Sequence, residues 1–202
     1  LNKLADTVIK DYKNNFNYKK LIVFDLGDGI QNILRLSDIA KLKTGVIDSV
    51  LQYAEMISQF LNKIQNELNI QIEFSCLGGN HSELRLISTG RNWESENLGK
   101  VIREFIALRL KDNQNIKVDP YSDFSFKQIE GINILAIHGD DSKKNINEIS
   151  YWEQYHNITI DILLMGHFHH QEQISLGYSP TGDKEIIIVP SLIGIDEFSR
   201  KN

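Results

Sequence analysis

Short apolar runs separated by polar loops constrain the fold of this 202-residue chain more than any other feature. The runs are LIVF, INILAI, ILLM and EIIIV, and β-branched residues dominate them. Runs of this length and composition are typical of buried strands, and they fall far below the roughly 18 residues that a membrane-spanning helix needs. Longer stretches with helical apolar spacing lie between them. We therefore expect an α/β fold in which mixed β-sheets are flanked by helices, and no membrane span.

The predicted elements follow one another along the whole chain. We expect helices over residues 1–15, 37–68, 97–110 and 145–155. Strands are predicted over residues 20–26, 69–77, 123–129, 132–137, 161–165, 171–176 and 184–189. Glu130-Gly131 and the segment 179–183 carry turn residues between adjacent strands, so each predicts a hairpin.

Composition narrows the class of protein. The chain is 41% hydrophobic and 24% charged, which predicts one globular domain over residues 1–202. The net charge of -5 is unlike that of proteins that coat nucleic acid through a broad basic surface. A single cysteine, Cys76, has no internal disulfide partner and reads as a small buried residue. Together with the lack of a signal-peptide pattern, it predicts a cytoplasmic protein.

Four of the predicted strands end in clusters of residues that can bind metal. LIVFDL is followed by Gly27-Asp28, IEFSCL by Gly78-Gly79-Asn80-His81, INILAI by His138-Gly139-Asp140, and DILLM by Gly166-His167-Phe168-His169. Loops at the carboxyl ends of strands converge in open α/β sheets, so these clusters are predicted to form one site. Imidazole, carboxylate and amide ligands suit Mn, Fe, Zn or Ni.

Each cluster also has an ordinary structural interpretation. Asp28 alone would be a turn or capping carboxylate, Asn80 a left-handed turn residue and His138 a structural histidine. The recurrence of one pattern at four strand ends favours a functional site. We expect His167 and His169 to lie in an extended loop, where alternate side chains point to the same face, so that both histidines can approach adjacent metals.

The series Gly27-Asp28, Asn80-His81, His138 and Gly166-His167-Phe168-His169 resembles the motifs of the calcineurin-like metallophosphoesterases, in the same order. That superfamily includes Mre11/SbcD-type nucleases, phosphodiesterases and Ser/Thr protein phosphatases. The stretches NWESENLGKVI and PSLIGIDEFSRKN are also similar to phage-encoded, exonuclease-like members.

The resemblance implies a dinuclear metal centre, with manganese the first expectation. Asp28 would bridge two ions, Asn80, His138 and His167 would complete one site, and His169 would belong to the other. His81 would not bind metal but would lie near the scissile phosphate, where it would stabilise the developing charge or protonate the leaving oxygen. The implied activity is phosphoester hydrolysis of the phosphodiesterase or nuclease type, with nucleic acid as the leading substrate class.

The sequence departs from the family in one respect. Metallophosphoesterases carry an Asp-x-His motif upstream of the Gly-Asp motif, but here only Asp6, Asp11 and Asp25 precede Asp28, and no histidine precedes His81. We therefore expect either an N-terminally truncated domain without its first strand or a degenerate member, and we favour the truncated domain. In both cases the chain should hold at most one metal well and be weakly active or inactive. A missing strand would leave an open sheet edge, so a homo-oligomer stays open. The alternatives are a non-catalytic phosphate- or partner-binding module and a phosphomonoesterase.

Overall fold

The computed structural model describes residues 1–15, 18–31, 42–84, 96–179 and 182–192. The chain divides into two compact units, Leu1–Ser122 and Asp123–Asn202, and each has its own sheet. The prediction of one domain over residues 1–202 stays a prediction. None of the helices in the described part of the chain is both long enough and apolar enough to cross a membrane.

In its described residues, the first unit has three α-helices and a parallel sheet. Its elements are α1 (Asn2–Asn15), β1 (Lys20–Asp25), α2 (Val46–Leu68), β2 (Gln71–Cys76), α3 (Leu98–Leu110) and β3 (Ile116–Val118). The strand order is β1-β2-β3, and both pairs are parallel. A parallel sheet places the carboxyl ends of its strands at one edge, so the turns that follow β1 and β2 lie side by side.

The long helix α2 supplies much of the core of this unit. Ala54, Ile57, Leu61 and Ile64 recur at the spacing of one helical face and are buried. They belong to the same apolar cluster as residues of β2. The helix ends at Asn69, whose left-handed backbone (φ 50°) allows its N–H to donate to the Gln65 carbonyl at 2.7 Å.

The second unit is a five-stranded mixed sheet with one helix. Its elements are β4 (Phe124–Ile129), β5 (Ile132–Ile137), α4 (Ile146–His156), β6 (Ile162–Met165), β7 (Glu172–Ser179) and β8 (Gly182–Ile188). The strand order is β4-β5-β6-β8-β7, with β5-β6 and β6-β8 parallel and both hairpins antiparallel. The buried core includes Leu135, Leu163, Met165 and Ile186, and Ile149 of α4 packs into it.

Several predictions from the sequence are confirmed. The class is α/β, with two sheets flanked by helices. The hairpin at Glu130-Gly131 is present, and both turn residues have positive φ (50° and 86°), as a tight two-residue hairpin turn requires. Cys76 is 3% exposed, in agreement with its interpretation as a small buried residue.

One predicted helix begins later than expected, and one short strand was not predicted. Helix α2 begins at Val46 and not at residue 37, because residues 42–45 are not helical and Gly45 is extended (ψ 152°) at the N-cap. The strand Ile116–Val118 was not predicted, since three residues are too few to show a period of two. The proposed helical residues 37–41, the turn residues 180–181 and most of the two phage-like stretches lie outside the described residues.

Candidate metal centre

The turn after β1 carries Asp28 and lies against the turn after β2. Strands β1 and β2 pair in parallel, with Asp25 opposite Cys76, and the Leu77 N–H donates to the Asp25 carbonyl at 3.0 Å. Gly27 has φ 89°, and a Cβ there would lie 2.6 Å from the Gly78 carbonyl oxygen. Glycine is therefore required for the two turns to approach each other this closely.

Asp28 is tied to the second turn by its side chain. Its Oδ1 accepts the His81 backbone N–H at 2.8 Å, and a Cβ at Gly79 would lie 2.3 Å from the same oxygen. Asp28 itself has a left-handed backbone (φ 57°), a conformation that aspartate tolerates better than most residues. The structure thus brings Asp28 and the Asn80–His81 turn together within the first unit.

His81 has a side-chain partner that the sequence did not indicate. Its Nδ1 is hydrogen-bonded to Gln31 Oε1 at 3.1 Å. With the amide oxygen as acceptor, Nδ1 is the donor, and Nε2 is the ring nitrogen that can contact other groups. An amide fixes the ring without adding charge, because it is neutral.

Beneath the Asp28 turn lies a hydrogen-bonded group centred on Asp25. Asp25 Oδ2 accepts from the Tyr53 hydroxyl at 2.9 Å and contacts Cys76 Sγ at 3.7 Å, and Oδ1 accepts from the Gly27 N–H at 3.2 Å. Burial, followed by the nearby Asp25 charge, raises the pKa of Tyr53 and of Cys76 well above their usual values. Both groups therefore stay protonated at neutral pH.

In the second unit, two predicted ligands lie at the ends of neighbouring parallel strands. Ile137 of β5 is opposite Met165 of β6, so His138 and His167 follow at the same edge. The Gly166 N–H donates to the His138 carbonyl at 3.0 Å. The two imidazole centroids are 5.2 Å apart at 78°, and a ring nitrogen of each lies within 4.8 Å of one of the other.

The segment that carries His167 and His169 is not extended. Both residues have φ 60°, and the Phe168 N–H donates to the Gly166 carbonyl at 2.7 Å, so the chain turns sharply after β6. The alternation of an extended strand therefore does not apply here, and that part of the prediction is wrong. Whether His169 binds metal stays a prediction.

This loop is held by the side chains of His170, Lys144 and Glu172. His170 Nδ1 is hydrogen-bonded to the Phe168 carbonyl at 2.8 Å, and its Nε2 lies 3.1 Å from Glu172 Oε2. Lys144 Nζ donates to the same Glu172 oxygen at 2.8 Å and lies 4.9 Å from the Phe168 ring centroid. Lys144, followed by His170, lowers the pKa of Glu172 below its usual value.

The six predicted residues fall into two groups. Asp28, Asn80 and His81 belong to the first unit, and His138, His167 and His169 belong to the second. Four residues that contact the turns and the loop that carry them were not predicted: Gln31, Tyr53, Lys144 and Glu172. The sequence does point to one further residue of this loop, His170, because it directly follows the His-Phe-His stretch.

A curated bacterial protein is similar to nearly the whole chain. No family model matches the chain. It is 31% identical over 200 residues to a curated protein of Bacillus subtilis (strain 168), the "SPbeta prophage-derived uncharacterized protein YonJ". The match covers 97% of this chain and 48% of that protein, so the chain spans about half the length of the relative it matches.

Three solved structures are similar in part. A single mutant of Vps29 from Entamoeba histolytica is 12% identical with a TM-score of 0.42, covering 96% of this chain and 68% of that one. The Zn²⁺ complex of wild-type Vps29 from the same organism is 14% identical with a TM-score of 0.36, covering 89% and 78%. A predicted phosphoesterase from Streptococcus pneumoniae is 15% identical with a TM-score of 0.32, covering 69% and 66%. Because these scores are below 0.5, they carry no argument about the site.

Proposed function

We propose that this chain forms the site of a metal-dependent phosphoester hydrolase of the phosphodiesterase or nuclease type. In this proposal Asp28, Asn80, His138, His167 and His169 bind divalent metal, and His81 acts on the leaving group. The observation that carries the proposal is the pairing of His138 with His167 at the ends of two adjacent parallel strands. The order of the motifs in the sequence supports it.

The five proposed ligands are of a kind that binds divalent ions, and two of them, His138 and His167, also have suitable spacing within the second unit. His138 is only 5% exposed, and one of its ring nitrogens lies within 4.8 Å of a His167 ring nitrogen, so both imidazoles can approach one ion. Asp28 would contribute the carboxylate and Asn80 the amide oxygen. Such a mixed nitrogen and oxygen set suits Mn, Fe, Zn or Ni, and we take Mn²⁺ as the probe.

The bound ions, His81 and Asp28 would have different roles in the reaction. Bound divalent ions would supply positive charge for the phosphoryl oxygens and make water more acidic. His81 would donate a proton from Nε2 to the leaving oxygen, while Gln31 holds Nδ1 and thereby sets which nitrogen reacts. Asp28 would keep its position because its Oδ1 is bonded to the His81 backbone.

The substrate class is the part of the proposal that rests on resemblance. Nucleic acid is the leading phosphodiester, and the prophage origin in the name of the B. subtilis relative supports a phage-encoded enzyme.

The test is Mn²⁺ binding and hydrolysis of bis(p-nitrophenyl) phosphate by the wild-type chain, Asp28→Asn and His81→Asn. Asparagine at position 28 keeps the left-handed turn and the bond from His81, but it removes the charge. We expect Asp28→Asn to reduce both Mn²⁺ affinity and turnover by at least about 100-fold, which corresponds to about 2.7 kcal/mol. His81→Asn should reduce hydrolysis of an oligothymidylate, whose alkoxide leaving group needs a proton, by about 100-fold or more. It should have little effect on bis(p-nitrophenyl) phosphate, because p-nitrophenolate leaves without a proton, and should leave Mn²⁺ affinity within about twofold of wild type.

Asp112→Asn is the matched control, because Asp112 is exposed in the turn after α3. It should behave like the wild type. A wild-type chain that binds no Mn²⁺, or an Asp28→Asn variant with full activity, would overturn the proposal. Binding without any turnover would favour the non-catalytic module, and faster hydrolysis of p-nitrophenyl phosphate would favour a phosphomonoesterase.

A further inference from the structure

Asn97 joins the start of helix α3 to the turn that carries Asn80 and His81. It is the N-cap of α3 and is 8% exposed. Its Oδ1 accepts the Gly99 N–H at 2.8 Å, which is ordinary capping. Its Nδ2 points the other way and donates to the Gly79 carbonyl at 3.1 Å. A capping residue needs only the first of these two bonds.

The Gly79 carbonyl is held by three donors. Besides Asn97 Nδ2, it accepts the Ser82 hydroxyl at 2.9 Å and the Ser82 N–H at 3.2 Å. This carbonyl belongs to the planar peptide group that joins Gly79 to Asn80. Holding this plane on one side and the His81 N–H on the other restricts rotation of the Asn80 backbone, and so the direction of its side chain. The following His81 N–H then meets Asp28 Oδ1 at 2.8 Å.

The backbone around Asn97 is held independently of its side chain. The Leu84 N–H donates to the Glu96 carbonyl at 2.8 Å, and residues 83 and 97 form an isolated antiparallel bridge. The surroundings are also close-packed, because a Cβ at Gly78 would lie 2.3 Å from the Tyr121 hydroxyl and 3.4 Å from Asn97 Nδ2. A change confined to the Asn97 amide should therefore alter the turn more than the fold.

We propose that Asn97 is a positioning residue for Asn80 and His81. It acts through the Gly79 carbonyl, and it orients the metal-binding amide and the proton donor relative to Asp28. This inference rests on the proposed function, since the two residues that it positions have their roles there. The geometry of the contact is independent of that function, so the two can be tested separately.

The test compares Asn97→Asp with Asn145→Asp. Asn145 caps α4 in the same way, with its Oδ1 accepting the Asn147 N–H at 2.9 Å, so it is a matched control. Aspartate keeps the cap and the shape, but it replaces the Nδ2 donor with an acceptor that faces the Gly79 carbonyl. We expect the Mn²⁺ Kd to rise about 10–100-fold in Asn97→Asp and to stay within about twofold in Asn145→Asp.

Asn97→Ser is the second variant, because serine still caps a helix and adds no charge near the carbonyl. It should raise the Kd in the same direction, with a cooperative thermal transition showing that the protein remains folded. In the metal-free protein, the NMR signals of the His81 backbone N–H and the Asn80 side-chain amide should shift in both Asn97 variants and not in Asn145→Asp.

The outcomes separate the two proposals. If the wild-type chain binds no Mn²⁺, the proposed function fails, and the NMR signals of the metal-free protein still decide the role of Asn97. If those signals do not move in either Asn97 variant, the positioning role is overturned. A Kd that stays within about twofold of the wild-type value, in a wild-type chain that does bind Mn²⁺, overturns it as well.

Discussion

The two units hold their predicted site residues by different physical means. In the first unit, the Gly79 carbonyl of the Asn80 turn accepts from neutral, buried groups, with Asn97 at 8% and Ser82 at 3% exposure. In the second unit, the loop after β6 is held by Lys144, His170 and Glu172, whose side chains are 31%, 45% and 39% exposed. The hydrogen bonds in the first unit are therefore shielded from water and salt, whereas the contacts in the second unit are accessible to both.

This difference predicts different sensitivities. A buried neutral hydrogen bond is little affected by ionic strength, but its loss leaves a polar group without its partner. An exposed ion pair contributes little to stability and is screened by salt. Changes of solution conditions should therefore alter the His167–His169 loop before they alter the Asn80 turn. The following predictions test that contrast in order of expected size.

The largest expected effect is on the alkylation rate of Cys76, which lies inside the first unit. The thiol is 3% exposed, and burial together with the Asp25 charge raises its pKa, so the reactive thiolate is scarce in the folded protein. We expect iodoacetamide to alkylate Cys76 at least about 100-fold more slowly in the folded chain than in denaturant, because reaction requires local opening. The measurement is the labelling rate by mass spectrometry. Equal rates in the two states would contradict a closed first unit.

A smaller effect is expected for Tyr53→Phe, which removes the hydroxyl that donates to Asp25 at 2.9 Å. The free energy of unfolding should fall by about 1–3 kcal/mol, as measured by denaturant titration. Because the folded-state pKa of Tyr53 is raised, its contribution is full below about pH 10 and declines above that pH, where the unfolded chain ionises first. The phenylalanine variant should lack this decline.

Tyr12→Phe is the control for that variant. The Tyr12 hydroxyl is exposed and donates to the Tyr18 carbonyl at 2.8 Å. Water can replace this donor, so the change in stability should be below about 0.5 kcal/mol. Equal losses in the two variants would show that burial of the Asp25 group does not matter.

The smallest effect on stability is expected for Lys144→Met in the second unit. The variant removes the cation that contributes most to the low pKa of Glu172, so that pKa should rise towards its ordinary value. In the wild type, the contribution of Glu172 is present above its unfolded-state pKa of about 4.3 and is lost as the pH falls through the lower folded-state pKa. The measurement is a carboxyl ¹³C titration at low and high salt.

Lys143→Met is the matched control, since the Lys143 contact in the structure is a backbone N–H that donates to Glu148 Oε2 at 3.0 Å. It should leave the titration of Glu172 unchanged. Raising the salt concentration should raise the pKa of Glu172 in the wild type, because salt screens the charge of Lys144. The same change should hardly alter that pKa in Lys144→Met. A salt effect of equal size in the two proteins would contradict the role given to Lys144.

Much of the fold could be predicted because its signals are local. Runs such as LIVF and INILAI mark strands, the spacing of Ala54, Ile57, Leu61 and Ile64 marks a helical face, and Glu130-Gly131 marks a hairpin. The candidate residues were visible for the same reason, since each follows directly on an apolar run. Their conformation was less predictable, because the left-handed backbone at His167 and His169 leaves no periodic trace in the sequence.

The local pattern along the chain was enough to assign the α/β class, the strand ends and the kinds of ligand present. It could not assign the residues that hold those ligands in place. Asn97 and Gly79, which are hydrogen-bonded, are 18 residues apart in the sequence. Tyr53 and Asp25 are 28 residues apart, and so are Lys144 and Glu172. Such pairs form only when strand register and helix packing bring distant side chains to within about 3 Å. That proximity depends on the sum of many weak contacts and not on any short stretch of sequence.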